Sequence, residues 1–215
     1  PGATEVCGDA VDQDCSGDPD DGSTDADSDG YISWACTGGD DCDDDDGGVT
    51  PDMSVTVPGD YSDVAAAVAA VCSGSTVTVS AGTYIGTIDG EGKAISLIGE
   101  AGASETILQG DGTASTLVLG SDLGETLVSG LTVRSGSASV GGGMYCTGSC
   151  TVEDSIFHSN SADYGGGLAL VDATFSVASC NFWNNIAGEG AGLFVEDSSG
   201  SVSDVVFSIQ SATRN

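Results

Sequence analysis

The sequence predicts an all-β chain: a parallel β-helix, or solenoid, with a short N-terminal capping helix, preceded by a small disulfide-stapled acidic module. Three observations carry this. Apolar residues recur at a fixed step of 24–25 positions from Val128 onward. The composition, with 34 Gly in 215 residues and many Ser, Thr and Val, suits strands and turns better than helices. Residues 1–52 differ from the rest: they hold 17 of the 34 acidic side chains, no Lys or Arg, and almost no apolar periodicity.

The division expected is therefore 1–52 and 53–215. Residues 1–52 could not bury a core of their own and need staples or a metal to be ordered. From Val55 the character changes. Val64, Val68 and Val71 follow i, i+4, i+7, which predicts a short helix over 62–71 with Ser62 or Asp60 as N-cap and Gly74 beyond its end. Short β runs follow at 76–79, 95–98 and 116–119, separated by Gly-rich turns. The helix is expected to cover the open N-terminal end of the solenoid.

The repeat is the strongest signal. Val128, Val152, Val177 and Val202 lie 24, 25 and 25 apart; Val133, Phe157, Phe182 and Phe207 keep step, as do Ala138, Ala162, Ala187 and Ala212. Gly143-Met144, Gly167-Leu168 and Gly192-Leu193 mark a further strand in each turn. Such a period is too short for a propeller blade and suits one solenoid coil, each strand pairing with its equivalent about 4.8 Å away. The phenylalanine column and Leu131/Ser155/Cys180/Val205 read as interior; Arg134/His158/Trp183/Ser208 reads as outward, with His158 partnerless in it. Gly136/Asn160/Asn185/Gln210 sits at a bend, where stacked amides would satisfy backbone groups.

Thr76–Tyr84, Ile95–Gly99, Gly130–Gly136 and Gly141-Gly142-Gly143-Met144-Tyr145 resemble the pectin-lyase-like right-handed parallel β-helix proteins, polymorphic outer-membrane-type repeats included. The resemblance spans about 55–215 and implies the fold, whereas that fold hosts lyases, hydrolases, adhesins and passengers alike. Pro1–Cys7, Asp12–Gly17, Asp25–Tyr31 and Cys36 through Asp44 are similar to an Asp/Cys-rich putative metal-binding repeat of myxobacterial and related secreted proteins. Copper is attached to that family's name, but these residues offer copper little.

The ligand chemistry can be read from the residues. Asp25, Asp27 and Asp29 followed by Gly30 reproduce the first half of a calcium loop, to which the Tyr31 carbonyl adds a ligand. The twelfth position, a bidentate Glu in EF-hands, is Cys36, so a helical EF-hand is excluded. Asp40, Asp41 or Asp43, returned by a Cys36–Cys42 staple, would have to complete the shell. Asp9, Asp12, Asp14, Asp18 and Asp20 make a less specific second site; the bland alternative throughout is a solvated acidic linker. An all-oxygen set favours Ca²⁺ over transition metals. Bridges are expected at Cys7–Cys15, Cys36–Cys42 and Cys146–Cys150, with Cys72 and Cys180 not joined to each other.

Charge narrows the function. Three basic residues against 34 acidic ones give a net charge of -31, which repels nucleic acid and anionic membranes. The longest apolar run, Val64 to Cys72, is half of what a membrane span needs. The chain begins at Pro1 without Met and reads as a mature or trimmed product, so export is inferred from the cysteines. Lyase and hydrolase motifs are missing around Lys93, Arg134 and Arg214. Asp154 and Asp204, which could mimic a carboxylate pair, share their column with Gly130 and Ser179 and read as turn positions.

The expectation is a non-enzymatic, calcium-binding structural or adhesive protein at the cell surface. It would associate with itself, with other surface proteins or with polysaccharide, and its open solenoid end suits a filament subunit. The alternatives are a fragment of a polysaccharide-active lyase or hydrolase, or a passive carbohydrate-binding module.

Overall fold

The computed structural model describes residues 15, 25, 27–33, 39 and 41–212, with only the backbone course at 121–123. The chain divides into two compact units, 1–53 with 70–75, and 54–69 with 76–212 and the tail beyond.

The larger unit is a parallel β-solenoid of about six turns. A full coil has four short strands, and each strand pairs in parallel with its equivalents in the neighbouring coils. One wall comprises Ile88–Asp89, 117–121, 144–148, 168–171 and Leu193–Glu196. The next runs from Ser54–Val57 through Thr76–Val79, Ser96–Gly99, 125–129, 149–153 and 173–178 to Ser199–Ser203. The third begins at Gly82–Ile85 and ends at Val206–Ser208. The fourth begins only at Ser137–Val140 and ends at Ser211–Ala212. The sequence repeat is visible where all four walls exist. Earlier coils lack the fourth wall, so their register (Val57↔Val79, Val79↔Gly99, Leu97↔Val128) follows no constant step.

Corners are made by single left-handed residues, because one such residue redirects an extended chain without interrupting the pairing on either side. Gly130, Asp154, Ser179 and Asp204 turn one corner at φ of 48–68°, together with Ser135, Ser159, Asn184 and Ile209 at the next. This explains the recurrence of Asp154 and Asp204: short polar side chains tolerate that conformation and point outward. At the corner before the first wall in the four-walled coils the position is glycine: Gly141, Gly165 and Gly190. A Cβ on Gly165 would lie 2.7 Å from the Ala169 Cβ and 2.8 Å from the Leu168 carbonyl oxygen, so space as well as φ demands it.

Inside, Phe157 stacks on Phe182 at 4.9 Å and Phe182 on Phe207 at 5.0 Å. Phe157 and Phe182 are wholly buried, together with Val133, Leu131 and Cys180. Phe207 corrects the expectation of an interior column throughout: it is 48% exposed, since no described strand packs beyond Val206–Ser208. The amide ladder forms as expected. The Gly136 amide donates to Asn160 Oδ1, the Asn160 amide and Nδ2 both donate to Asn185 Oδ1, and the Asn185 amide donates to Gln210 Oε1. Asn160 Nδ2 and Asn185 Nδ2 also donate to the carbonyls of Val133 and Phe157. The ladder thus satisfies backbone groups that the corner would otherwise strand in the interior.

Two further differences concern the start of the solenoid. A strand at Ser54–Val57 precedes the helix, so the helix fills out the first coil in place of later strands. The helix runs Val64–Ala70, and its N-cap is Asp63, whose Oδ1 accepts from the Ala66 amide; Asp60 instead accepts from Thr56. Lys93 Nζ closes the other end, donating to the carbonyls of Val68 and Ala69.

The disulfides follow the expected pattern only at Cys146–Cys150, which straddles the bulged corner between the first two walls. Cys72 and Cys180 are not joined. Cys42 bonds Cys72, not Cys36, and Cys15 is a free thiol, so neither the Cys36–Cys42 nor the Cys7–Cys15 bridge forms. Nearness along the chain misled here: a 30-residue separation closes because the smaller unit draws 70–75 to itself. Cys7 and Cys36 lie outside the described residues.

Candidate metal centre

The acidic loop organises itself. Alternating aspartates accept hydrogen bonds from amides two to five residues on, the local chemistry that makes Asp a turn former. The Asp29 amide donates to Asp25 Oδ1 at 3.0 Å and to Asp27 Oδ1 at 3.1 Å; the Gly30 amide donates to Asp25 Oδ2 at 3.0 Å. The Tyr31 amide donates to Asp29 Oδ1 at 2.8 Å. Gly30, at φ 98° with nothing around its Cβ position, supplies the sharp bend.

These turns converge three carboxylates. Asp25, Asp27 and Asp29 each offer an oxygen, and the three oxygens lie within 4.8 Å of one another, a group that could hold a metal ion. Asp27 Oδ2 and Asp29 Oδ2 are sealed from solvent without a hydrogen-bond partner. Burial raises the Asp27 carboxyl above its ordinary value, the Asp29 amide pulls it back, and the charges of Asp29, Asp41 and Asp25 raise it further. Like charges held this close disfavour one another's ionisation, a cost that a cation among them would relieve.

Asp41 is brought up from the far side of a loop. Ser33 and Asp41 form a parallel bridge, and the Asp41 amide donates to the Ile32 carbonyl at 3.0 Å. Its side chain is wholly buried; Oδ1 accepts from the Asp43 amide at 3.0 Å, and Oδ2 has no partner. The bond expected to return this segment, Cys36–Cys42, is replaced by Cys42–Cys72 immediately after Asp41. Gly47 packs close by, its Cβ position 3.4 Å from the Asp29 Cβ and 3.6 Å from the Asp27 Cγ.

The other expected ligands are less well placed. Asp43 is exposed. Tyr31 enters through its amide, and the carbonyl that meets the Asp41 segment is that of Ile32. Asp40 and the second group, Asp9, Asp12, Asp14, Asp18 and Asp20, lie outside the described residues.

A second cluster went unread in the sequence. His158, expected to be partnerless, stacks on Trp183 with ring centroids 4.1 Å apart and planes 9° apart; its Nδ1 lies 3.1 Å from Ser159 Oγ. Burial, and then the charge of Arg134, hold its pKa below the usual histidine value. Arg134 is occupied with Gln109, donating from Nε at 3.1 Å and from Nη2 at 2.7 Å. The register that makes these stacks was legible as a column, but pairing within it depends on rotamers. Inside, burial pushes the Cys180 thiol up to about 11, which disfavours the thiolate.

No family model matches the chain, and no characterised protein matches it in sequence. Of the resemblances expected from the sequence, the structure shows the parallel β-solenoid, and neither the pectin-lyase-like nor the Asp/Cys-rich repeat family is identified. Among the described residues, no helix is long and apolar enough to cross a membrane.

Proposed function

We propose that this chain is a calcium-binding structural or adhesive protein of the cell exterior, in which the cation orders the acidic unit and the solenoid supplies a rigid rod. The observation that carries the reading is the convergence of the Asp25, Asp27 and Asp29 carboxylates, with oxygens sealed from water and unpartnered. All-oxygen donors in a flexible loop suit calcium better than zinc or copper. The Cys42–Cys72 and Cys146–Cys150 disulfides support an oxidising, extracellular setting.

A non-catalytic role is supported by what the two basic residues among those described do. Lys93 caps a helix and Arg134 is engaged by Gln109, so neither stands ready beside a substrate. Self-association would cover the exposed Val202, Val206, Phe207 and Ile209.

The experiment is calorimetric titration of the chelator-treated protein with Ca²⁺, with sedimentation velocity before and after. Saturable binding is the expected result. A flat titration, with the same melting curve in chelator and in calcium, would remove the reading.

A further inference from the structure

We infer that Asp41 supplies the carboxylate that closes the cation site formed by Asp25, Asp27 and Asp29, and that the site selects a large, hard cation. This rests on the calcium reading above and goes beyond it: it names the closing ligand and the class of ion admitted.

Asp41 is wholly buried, and one of its two oxygens has no partner. A buried carboxylate with an idle oxygen is costly unless a positive charge meets it. None is available from the unit: residues 1–53 and 70–75 contain no Lys, Arg or His. A cation drawn from solution would supply that charge. The position of Asp41 agrees, since the Ser33–Asp41 bridge and the bond to the Ile32 carbonyl fix its backbone just beyond the end of the Asp25–Tyr31 loop. Asp41 itself lies outside the group of carboxylates whose oxygens are within 4.8 Å of one another, so it has to draw in as the ion binds.

The sequence explains why a distant residue is needed. A twelve-residue calcium loop ends on a bidentate Glu, and here that position is Cys36. Asp41 restores a fourth carboxylate from across a short parallel bridge, and the Cys42–Cys72 bond next to it limits how far the segment can stray without metal. Four carboxylates and a loop without octahedral rigidity favour Ca²⁺ or a trivalent lanthanide over Mg²⁺, which demands strict geometry and gives up its water reluctantly.

Terbium luminescence on the whole, chelator-treated chain tests this, because Tyr31 sits two residues from Asp29 and can sensitise a bound Tb³⁺ ion. Saturable Tb³⁺ emission is expected, displaced by Ca²⁺ and not by equal Mg²⁺. Asp41→Asn should weaken Ca²⁺ binding by about tenfold or more, while Asp43→Asn, at an exposed neighbour, should change it by less than about twofold. Melting without metal separates binding from folding: metal-free Asp41→Asn should be at least as stable as the metal-free parent, because it loses a repulsive charge. Parent-like Ca²⁺ affinity in Asp41→Asn, or a metal-free Asp41→Asn less stable than the parent, overturns the assignment and leaves the calcium reading intact. If the parent itself binds neither ion, the calcium reading fails and the assignment with it.

Discussion

The two units handle buried polar groups in opposite ways. In the solenoid, the described side-chain atoms left without a partner are neutral: the hydroxyls of Thr106 and Thr126 and the Gln210 amide nitrogen. In the acidic unit they include the carboxylate oxygens of Asp27, Asp29 and Asp41. An orphaned neutral group costs about 1–3 kcal/mol, and a charged one costs more. The solenoid can bear its few because each coil satisfies the next, as the Asn160–Asn185–Gln210 ladder shows. The acidic unit has no such internal supply. A repeating fold completes itself from its own chain, whereas on the proposed reading the cluster of like charges is completed by a cation from outside.

The largest expected effect strikes the self-sufficient unit. Phe182→Ala removes the middle ring of the Phe157–Phe182–Phe207 stack and should cost about 3–5 kcal/mol, read from the denaturant midpoint. Calcium affinity should be unchanged in that variant. If calcium binding fell together with the solenoid, the two units would not be independent.

Chelation should do the reverse. With calcium at about a hundred times its dissociation constant, its removal should cost the acidic unit about 2.7 kcal/mol. Hydrogen exchange should accelerate at Asp29, Gly30 and Tyr31, whose amides are held by the aspartate loop, and stay constant at Phe157 and Phe182. Equal acceleration in both units would erase the distinction.

Asn185→Ala probes how far the internal supply extends. Asn185 Oδ1 accepts from the Asn160 amide and side chain, and its Nδ2 donates to the Phe157 carbonyl, so alanine strands buried groups on both sides. A loss of about 1–3 kcal/mol is expected by chemical denaturation. A silent substitution would mean that water replaces the ladder.

The smallest effects lie on the outer wall. A fully exposed Trp183 would contribute within about 0.5 kcal/mol; stacked on His158, its truncation should cost about 0.5–1.5 kcal/mol. The stack also sets a pH dependence. His158 has a lower pKa folded than unfolded, so the fold favours the neutral ring. Its contribution is present in full above the unfolded value of about 6.5 and is lost as pH falls below it. Melting from about pH 7.5 to about pH 5 should therefore destabilise the parent more than His158→Gln, and equal slopes would dismiss the histidine.

Much of the solenoid could be read along the chain because its determinants are local and repeated. The step from Val128 to Val202 placed one wall in register, the inward set named Phe157 and Phe182, and the amide column foretold the ladder. The early coils were harder, since without a fourth wall they keep no common period, and the Ser54–Val57 strand passed unread. In the acidic unit Asp25, Asp27 and Asp29 were legible because one short turn holds them all. Asp41 was one of three alternatives, and the disulfides nearby were misassigned.

What the sequence determined by itself, then, was whatever lies within a turn or recurs at a fixed step: the parallel coil, its inner and outer columns, and the aspartate trio. Tertiary structure alone decided that Cys42 meets Cys72, that the His158 and Trp183 rings of one column stack face to face, and that Asp41 is wholly buried. The reason is physical. Strand alternation and turn chemistry act over a few residues and leave a trace in spacing, whereas the 30-residue disulfide and the burial of Asp41 depend on how distant segments close in space, and the ring stack on rotamers, none of which spacing encodes.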